Sequence, residues 1–489
     1  MVDTQEIRQA LERKKSILAG DAVKVAKQHS AGKLTARERI GKLLDAGSFV
    51  ETDALVSKKE DYSGVVTGYG TVEDRPVYVV AQDFTVHGGA MGVMQSKKIC
   101  KVLDLAVRTG APVVFFCDSA GVRIDEGAAA MNAFSAVYTK MAKMSGICPL
   151  ICVIAGPVVG GAAIISELAD ISVEIEKTGE LMVYGPTVVG SLTGKNLSAA
   201  DVGGADKMMR QGAVALTAAD EDAATGMLVR VLNLLPSCSG DAAEIIDTDN
   251  MNRLLSENTI GNASALISEI ADCNDYIELK SGFGKEIRTV MCRIGGHSCG
   301  LLVCDSSVND GMISADAAKK AARFVHFCDC YDLPIVSMID SKGIAVPDEG
   351  HQAETMIAVS ALLYAYASAT SPKISVVTGK AIGQSYVAMA GKDNADMIYA
   401  WPGSVISALT SEAAVQVLHQ DELKAGKSRF ELEAAYTLEV SSSVNAAEAG
   451  LIDDICEPAE TRKYIISALE MLENKNEPLP DRKHGNMPM

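Results

Sequence analysis

The sequence contains no uncharged apolar run of about 18 residues, the length that a membrane-spanning helix needs. Its first residues, MVDTQEIRQALERKK, lack the apolar core of a signal peptide. Positive charge is also scarce, because 45 Lys and Arg face 63 Asp and Glu and leave a net charge of −18. We therefore expect a cytoplasmic protein, at most peripheral to a membrane complex, with no nucleic acid as partner. A local basic patch can still hold a polyanionic ligand.

Motifs for a metal site and for a hydrolase are missing as well. The twelve cysteines include no C-x-x-C pair, and His297, His326 and His351 lack metal-ligand spacing. We therefore predict no metal site, and free buried thiols in a reducing compartment. Ser119 has no G-x-S-x-G elbow around it, which disfavours a hydrolase triad.

The sequence does contain an alternation of strand and helix patterns. A chain of 489 residues, of which 48% are hydrophobic, is expected to form two or three globular domains. The segment before about position 45 has the spaced apolar pattern of helices. GVVTGYGTV and RPVYVVAQDF predict a hairpin with its turn at EDR, and SKKICKVLDLAVRTG predicts a helix. Strands and helices then alternate, which predicts an α/β fold with parallel strand pairs.

The strongest internal signal is a repeat. APVVFFCDSAGVRIDEG is echoed by LPIVSMIDSKGIAVPDEG, and CPLICVIAGPVVGGAAI by SPKISVVTGKAIGQSYV. Asp340 follows Asp118 by 222 positions, and Gly383 follows Gly160 by 223. Two separate features at nearly one offset predict two homologous α/β domains, which we place at residues 1–240 and 241–489.

A glycine-rich turn in each repeat follows a buried strand and opens a helix. In the first repeat it contains Gly160, Gly161 and Ala162, which we call the first turn. Successive N–H groups there can point at one oxygen, the helix N-terminus adds positive potential, and glycine admits a ligand to the backbone. These properties suit an oxyanion such as a thioester enolate. The alternative is a tight strand-to-helix turn that binds no ligand. The recurrence of the turn in the second repeat argues against this alternative.

The corresponding turn of the second repeat differs in one glycine. It contains Gly383, Gln384 and Ser385, which we call the second turn. Backbone N–H groups can still donate there, since donors need no particular side chain. The Gln384 side chain either lines the pocket or plugs it.

Polar loops follow the two repeated Asp-Ser strands, where ligands of open α/β sheets bind. The candidate substrate-binding residues are Ala120, Gly121, Val122 and Arg123 in the first repeat and Gly343 in the second. Arg123 can contact a phosphate. Asp125 and Glu126 can act as acids, or they can simply cap the following helix.

Two further groups favour plain structural interpretations. Lys97, Lys98 and Lys101 are best explained as a solvated helix face, with a CoA phosphate site as the alternative. His87 is best explained as a structural histidine, because no carboxylate partner stands beside it in the sequence.

The chain resembles the β (carboxyltransferase) subunit of propionyl-CoA carboxylase and related acyl-CoA carboxylases. The motifs that carry the resemblance are ARERIGKLLDAGSFVE, DYSGVVTGYGTV, QDFTVHGGAMG, QSKKICKVLDLA, DSAGVRIDEG, GPVVGGAA, AARFVHFCDCYDLPIV, GKAIGQSYVAM, YAWP and RKHGNMPM. They cover nearly the whole chain in the family's order. The last motif also resembles the carboxyltransferase subunit of sodium-translocating acyl-CoA decarboxylases.

The resemblance implies two crotonase-like (ClpP/crotonase) domains of ββα superhelix units, and a hexamer built as a trimer of dimers. Active sites would lie between the first domain of one subunit and the second domain of its partner. The first turn would stabilise the acyl-CoA enolate, and the second turn the enolate of biotin on a separate carrier protein. Val387 would line the acyl pocket and favour an uncharged acyl tail. The implied partners are a biotin carboxyl carrier protein with a biotin carboxylase, or a membrane decarboxylase subunit.

Departures from the family pattern lie mainly in the second repeat. Asp-Ser-Ala-Gly-Val-Arg replaces the usual Asp-Ser-Gly-Gly-Ala-Arg, Gly-Gln-Ser replaces Gly-Gly-Ala, and SKGIAVPDEGHQAE replaces the usual loop after Asp340. Three functions therefore stay open. The first is a carboxyltransferase of either carboxylation or decarboxylation systems, the second a biotin-independent crotonase-like hydratase or hydrolase, and the third a non-catalytic scaffold.

Overall fold

The described strands form two eight-stranded sheets with a common strand order and one separate two-stranded hairpin. The computed structural model describes residues 4–58, 61–478, 481 and 483–488. Parts of the RKHGNMPM motif, at positions 482 and 489, lie outside the described residues. The chain divides into two compact units, Met1–Asp241 and Ala242–Met489.

The first unit contains a sheet ordered β1-β4-β5-β6-β7-β8-β10, with β9 paired to β7 and a separate β2-β3 hairpin. Its strands are β1 Val50–Thr52, β2 Ser57–Lys58, β3 Asp61–Tyr62, β4 Val65–Val72, β5 Arg75–Gln82, β6 Val113–Ser119, β7 Leu150–Val159, β8 Ile171–Ile175, β9 Glu180–Met182 and β10 Leu216–Ala218. Its helices are α1 Thr4–Ala19, α2 Ala22–Ser30, α3 Ala36–Leu43, α4 Val93–Thr109, α5 Ala128–Met144, α6 Gly161–Glu167, α7 Pro186–Thr193, α8 Ala199–Gly203, α9 Ala205–Arg210 and α10 Glu221–Asn233.

The second unit contains a sheet ordered β11-β12-β13-β14-β15-β16-β18, with β17 paired to β15. Its strands are β11 Tyr276–Leu279, β12 Ile287–Ile294, β13 His297–Cys304, β14 Ile335–Ser341, β15 Lys373–Ile382, β16 Met397–Ala400, β17 Val405–Ser407 and β18 Asp454–Ile455. Its helices are α11 Ala263–Ile270, α12 Ala315–Cys330, α13 Gln352–Ser368, α14 Gln384–Met389, α15 Ser411–Leu418, α16 Gln420–Lys424, α17 Arg429–Tyr436, α18 Ser443–Glu448 and α19 Thr461–Leu472.

The two sheets match strand by strand, which agrees with the predicted repeat. An antiparallel hairpin opens each sheet, β4-β5 in the first unit and β12-β13 in the second, and parallel strands follow. All residues of β6 and most residues of β7, β14 and β15 are buried. Continuous apolar runs such as VVFF are typical of strands that are covered on both faces.

Each opening hairpin turns on two residues with positive φ, and a carboxylate braces the turn. Glu73 and Asp74 have φ of 49° and 65°, and their backbone N–H groups donate to the Asp45 carboxylate at 3.1 and 3.0 Å. In the second unit a Gly-Gly pair makes the same turn, and its N–H groups donate to the Asp272 carboxylate. Left-handed turns of this kind suit the twist of a hairpin. The predicted hairpin and its EDR turn are confirmed, although Arg75 already belongs to the strand.

All twelve cysteines are free thiols, as predicted, but they are not all buried, since Cys273 and Cys330 are exposed. Among the described residues, no helix is both long enough and apolar enough to cross a membrane.

Candidate active site

The first turn joins β7 to α6 at the edge of the first sheet. Gly160 has φ 66° and ψ −127°, a conformation that favours glycine, and its N–H donates to the Met182 carbonyl of β9 at 3.0 Å. Gly161 begins α6. The N–H groups of Gly161 and Ala162 therefore lie at the N-terminus of this helix, where no earlier helical residue offers a carbonyl acceptor. A Cβ on Gly161 would lie 2.8 Å from both Phe134 and the Tyr138 hydroxyl.

The loop after β6 comes up to the first turn. Gly121 has φ 106°, and a Cβ there would lie 3.1 Å from the Val159 carbonyl that precedes the turn. The Gly121 carbonyl accepts from Met91 at 2.7 Å, and Val122 forms a parallel bridge with the same Met91. The Ala120 N–H donates to the Gly88 carbonyl at 2.8 Å. The structure thus brings Ala120, Gly121 and Val122 to the edge where the first turn lies.

The second unit repeats this arrangement closely. Gly383 has φ 56° and ψ −124°, and its N–H donates to the Ser407 carbonyl of β17 at 2.8 Å. Gly343 has φ 105°, and a Cβ there would lie 3.2 Å from the Ile382 carbonyl. The same backbone geometry therefore surrounds both turns.

Side chains of the second turn point in different directions. The Ser385 side chain is buried, and its hydroxyl donates to the Ile382 carbonyl at 2.8 Å and accepts from the Ile382 N–H at 3.1 Å. Gln384 is exposed in its unit, as is Val387, which is 43% exposed.

Arg123, Asp125 and Glu126 form hydrogen bonds within the first unit, around the loop after β6. The Arg123 guanidinium donates to both Asp125 carboxylate oxygens at 3.1 Å. The Glu126 carboxylate accepts from the Val93 N–H at 2.7 Å, at the start of α4. Glu126 therefore caps α4, which precedes it in the sequence, and not the following helix that the sequence suggested.

A buried ionic network fixes the Asp118 end of β6, and sequence reasoning missed it. Asp118 is completely buried, and its carboxylate contacts Lys33 at 2.9 Å and Arg39 at 3.1 Å and accepts from Gln28 at 3.0 Å. Arg39 also pairs with Glu221 at 2.8 Å. The predicted N-terminal helices thus hold the strand end that carries the loop. The partners come from positions far apart in the sequence, and no local motif signals them.

A basic cavity of about 670 Å³ lies beside this network in the first unit. Four lysines line it, and they are Lys24, Lys27, Lys33 and Lys177. Phe84, whose ring lies 4.1 Å from the Lys33 ammonium, and His87 also line it. Gly88 and Pro157 connect the cavity to the sheet edge of the first turn. Lys33 already pairs with Asp118 and Lys177 with Asp220 at 3.3 Å, so Lys24 and Lys27 are the two lysines that mark a place for a polyanion in a chain with a net charge of −18.

The prediction of a solvated helix face holds for Lys97 and Lys101, which are exposed on α4, but it was wrong for the central member of the cluster. Lys98 is buried, and its ammonium donates to the Val65 carbonyl at 2.7 Å. Burial lowers the pKa of Lys98 to about 8. Lys320, its counterpart in the second unit, is buried in the same way and donates to the Phe283 carbonyl at 2.6 Å. These lysines therefore bind backbone carbonyls inside the fold, away from a CoA phosphate.

Glu174 is a buried carboxyl group on β8, next to the strand that ends in the first turn. It is fully buried, and neither carboxyl oxygen has a hydrogen-bond partner in the part of the chain that the structure describes. Burial raises the pKa of Glu174 to about 8, with the nearby Leu181 backbone amide lowering it by less and Glu180 raising it slightly. The corresponding residue of the second unit is Ala400, since Ile154 pairs with Glu174 and Val377 with Ala400.

Replacing Glu174 by methionine is therefore expected to stabilise the protein at neutral pH. Between its unfolded pKa of about 4.3 and its folded pKa, the folded chain holds a proton that the unfolded chain has lost, so stability falls as pH rises through this window. At pH 7 the variant should gain on the order of 2–3 kcal/mol in free energy of unfolding and lose most of this pH dependence. Urea unfolding at pH 5 and pH 8 measures both effects. The exposed neighbour Glu176→Met is the control, and an equal response of both variants would contradict the assignment.

No cluster of metal ligands is found among the described residues. The candidate site of the first unit combines backbone N–H donors, a glycine turn and the basic cavity.

Comparison with known proteins identifies the family. A family model described as the carboxyl transferase domain matches residues 27–487. The methylmalonyl-CoA carboxyltransferase 12S subunit of Propionibacterium freudenreichii subsp. shermanii is 36% identical over 511 residues, covering 99% of this chain and 97% of that protein. The methylmalonyl-CoA decarboxylase subunit alpha of Veillonella parvula is 38% identical over 494 residues, covering 96% of both chains. The propionyl-CoA carboxylase carboxyltransferase subunit of Haloferax mediterranei is 35% identical over 505 residues, covering 98% of both.

Solved structures agree with these matches. A crystal structure of transcarboxylase 12S, described as a hexamer assembly with methylmalonyl-coenzyme A and methylmalonic acid bound, superposes with a TM-score of 0.95 at 36% identity. The superposition covers 100% of this chain and 99% of that chain. The predicted fold class of tandem crotonase-like α/β domains and the predicted family are both confirmed. The chain belongs to the carboxyl transferase domain family.

Proposed function

We propose that this protein is the carboxyltransferase component of a biotin-dependent enzyme. It moves a carboxyl group between carboxybiotin and the α-carbon of a short-chain acyl-CoA, with propionyl-CoA and methylmalonyl-CoA as the preferred pair. The single observation that carries the proposal is the lysine-lined cavity beside the first turn. The relatives named for propionyl-CoA and methylmalonyl-CoA enzymes support the choice of substrate.

The cavity suits the phosphate-bearing part of CoA. CoA carries a diphosphate and a 3′-phosphate, and ammonium groups bind phosphates as point charges. The cavity and the first turn lie at one sheet edge, because the Gly88 carbonyl on the cavity wall accepts from the Ala120 N–H at 2.8 Å. A single ligand can therefore place phosphates near the lysines and its thioester at the turn.

The chain's own contribution to the chemistry is electrostatic. N–H groups of the first turn stabilise the enolate oxygen that develops when the thioester loses its α-proton, and such a donor is worth roughly 3–4 kcal/mol of barrier. The second turn does the same for the ureido oxygen of biotin. Carboxylated biotin, arriving on a separate carrier protein as a substrate, supplies the carboxyl group and the base for the α-proton. Exclusion of water from such a site limits the escape of CO2.

Assembly and partners follow the relatives. We expect a hexamer, as described for the transcarboxylase 12S structure. The partners are a biotin carboxyl carrier protein and either a biotin carboxylase or a membrane decarboxylase subunit, which determines the direction of transfer. The relative from Veillonella parvula is named as a decarboxylase subunit. A sodium-translocating decarboxylase would use the same turns in the direction of CO2 release.

A decarboxylation assay tests the proposal. The purified protein is mixed with methylmalonyl-CoA or malonyl-CoA, with and without free biotin, and CO2 release is followed. We expect release that depends on biotin. Equal turnover with and without biotin would favour a crotonase-like hydratase or hydrolase. Binding of CoA without any turnover would favour a scaffold.

The cavity assignment has its own test in the double variant Lys24→Met/Lys27→Met. Both lysines lie on α2 and are exposed at the cavity wall. Loss of two phosphate contacts should raise KM for the acyl-CoA about tenfold or more, since hydrogen bonds between charged groups are worth about 1.5–3 kcal/mol each. KM for the acyl-pantetheine, which lacks these phosphates, should stay unchanged.

The matched control is Lys14→Met/Lys15→Met on α1, where both lysines are exposed and outside the cavity. We expect no change in either KM for this control. An equal loss for acyl-CoA and acyl-pantetheine in the α2 variant would place the phosphates elsewhere.

A further inference from the structure

A second cavity, of about 320 Å³, lies beside the second turn in the second unit. Ile382 at the end of β15, Val405 of β17 and Phe430 of α17 provide apolar walls. Two lysines, Lys342 and Lys380, border the same cavity. Lys342 directly follows β14 and precedes Gly343, and Lys380 lies near the end of β15, three residues before Gly383. Both lysines therefore lie close to the edge that carries the second turn.

The first unit carries no charge at these two places. Ala120 occupies the position of Lys342, and Pro157 occupies the position of Lys380. The strand pairing supports this match, because Pro157 pairs with β9 and Lys380 pairs with β17, its counterpart. The backbone of the two turns is alike, but these two positions carry a positive charge only in the second unit. The second turn therefore has two ammonium groups beside it that the first turn lacks at the equivalent positions.

Both lysines have charge available for a ligand. Lys342 contacts the Asp310 carboxylate at 3.1 Å, but Asp310 is 58% exposed in its side chain, and such surface pairs exchange readily. Across residues 4–58, 61–478 and the described part of the tail, no carboxylate forms a salt bridge with Lys380. Lys380 instead donates its backbone N–H to Asp340 at 2.9 Å, which fixes the strand and leaves the ammonium at the cavity.

The two acids on the cavity wall already have partners. Glu433 pairs with Arg429 at 2.7 Å, one turn away on α17. Glu412 lies in the first turn of α15, and its pKa is lowered first by its own backbone N–H, next by the Thr410 hydroxyl, and then by Lys380 and Lys342. The field of both lysines therefore reaches across the cavity to α15.

We infer that Lys342 and Lys380 bind the carboxylate of an N-carboxylated cyclic urea, the carboxyl group that biotin brings to the second turn. The inference rests on the proposed function and names the group that this second site recognises. An apolar wall with two ammonium groups suits a ligand with an uncharged bicyclic body and one anionic substituent. Uncarboxylated biotin has no such substituent on its ring, so the lysines distinguish the loaded carrier from the empty one.

The test compares carboxylated with uncarboxylated biotin in Lys342→Met and Lys380→Met. Chemically prepared carboxybiotin and propionyl-CoA are the substrates, and free biotin is the competitive inhibitor. Each variant should raise KM for carboxybiotin roughly tenfold, because it loses a charge-assisted hydrogen bond. The inhibition constant of biotin and KM for propionyl-CoA should stay within about twofold. Lys342→Arg and Lys380→Arg should retain most of the carboxybiotin affinity.

Lys392→Met is the matched control, since Lys392 is a lysine of the same unit that pairs with Asp453 outside the cavity. It should leave every constant unchanged. The inference is overturned if KM for carboxybiotin stays constant in the cavity variants, or if biotin loses affinity to the same extent. Failure of the proposed function looks different, because the unmodified protein would then show no turnover of carboxybiotin at all. Size-exclusion chromatography of each variant separates lost binding from lost assembly.

Discussion

Replacing Gly161 by valine is expected to reduce kcat at least 100-fold while the oligomeric state stays intact. A Cβ at this position would lie 2.8 Å from Phe134 and from the Tyr138 hydroxyl. The same hydroxyl donates to the Gly161 carbonyl at 2.8 Å and fixes the orientation of that peptide group. Valine must displace the peptide, and its N–H group then no longer points at the developing oxyanion. Loss of one such donor typically costs 100-fold to 1,000-fold in kcat.

Steady-state kinetics of biotin-dependent decarboxylation measure this effect, and size-exclusion chromatography checks the assembly. Ile164→Val is the matched control, because Ile164 is an exposed residue of the same helix and its side chain makes no part of the turn. Tyr138→Phe provides a milder perturbation and should lower kcat by a smaller factor, since only the hydrogen bond to the carbonyl is lost. Unchanged activity in Gly161→Val would remove the first turn from the site.

Replacing Arg39 by methionine should destabilise the first unit by about 3–5 kcal/mol, because it breaks a buried ionic network. Arg39 is 2% exposed and contacts Asp118 at 3.1 Å and Glu221 at 2.8 Å. Its guanidinium also donates to the Ala155 carbonyl at 3.0 Å. Methionine fills a similar volume, but the carboxylates of Asp118 and Glu221 lose a positively charged partner. Asp118 lies at the end of β6, directly before the loop that approaches the first turn, so the change should also raise KM for the acyl-CoA.

Urea unfolding measures the loss of stability, and hydrogen exchange in peptides of α3 and β6 places it in the first unit. Arg210→Met is the control, because Arg210 is 67% exposed in its side chain and pairs with Asp206 on the surface of α9. Surface pairs of this kind contribute about 0–1 kcal/mol. Equal effects of the two variants would show that the Arg39 network contributes no more than a surface pair.

Both turns could be predicted from the sequence because their conformation is local. A strand that ends in a sharp turn before a helix needs a residue with positive φ, and Gly160 and Gly383 have φ of 66° and 56°. The repeat added independent support, since the second copy keeps the glycine while its neighbour changes to Gln384. The fold class followed from the same signals, namely apolar strands, intervening helices and turn residues in a repeated order.

The basic cavity could not be predicted, because its lysines come from separate segments. Lys24 and Lys27 lie on α2, whereas Lys177 follows β8, so residues far apart in the sequence meet at the cavity.

The burial of Lys98 could not be predicted from the sequence for the same reason. Lys98 stands between Lys97 and Ile99 on an amphipathic helix, where a charged residue normally faces solvent. Its ammonium instead donates a hydrogen bond to a backbone carbonyl of β4, and nothing near Lys98 in the sequence reveals that acceptor.

The sequence by itself determined the two α/β repeats, the glycine turns at equivalent strand ends and the resemblance to a carboxyltransferase family. These features depend on residue type and short spacing, which act on backbone conformation wherever the segment lies. The tertiary structure decided which charges meet. It placed Lys33 and Arg39 on Asp118, gathered lysines around a cavity in one unit, and set Lys342 and Lys380 beside the second turn. Electrostatic interactions depend on distance in space and on burial, and folding alone sets both.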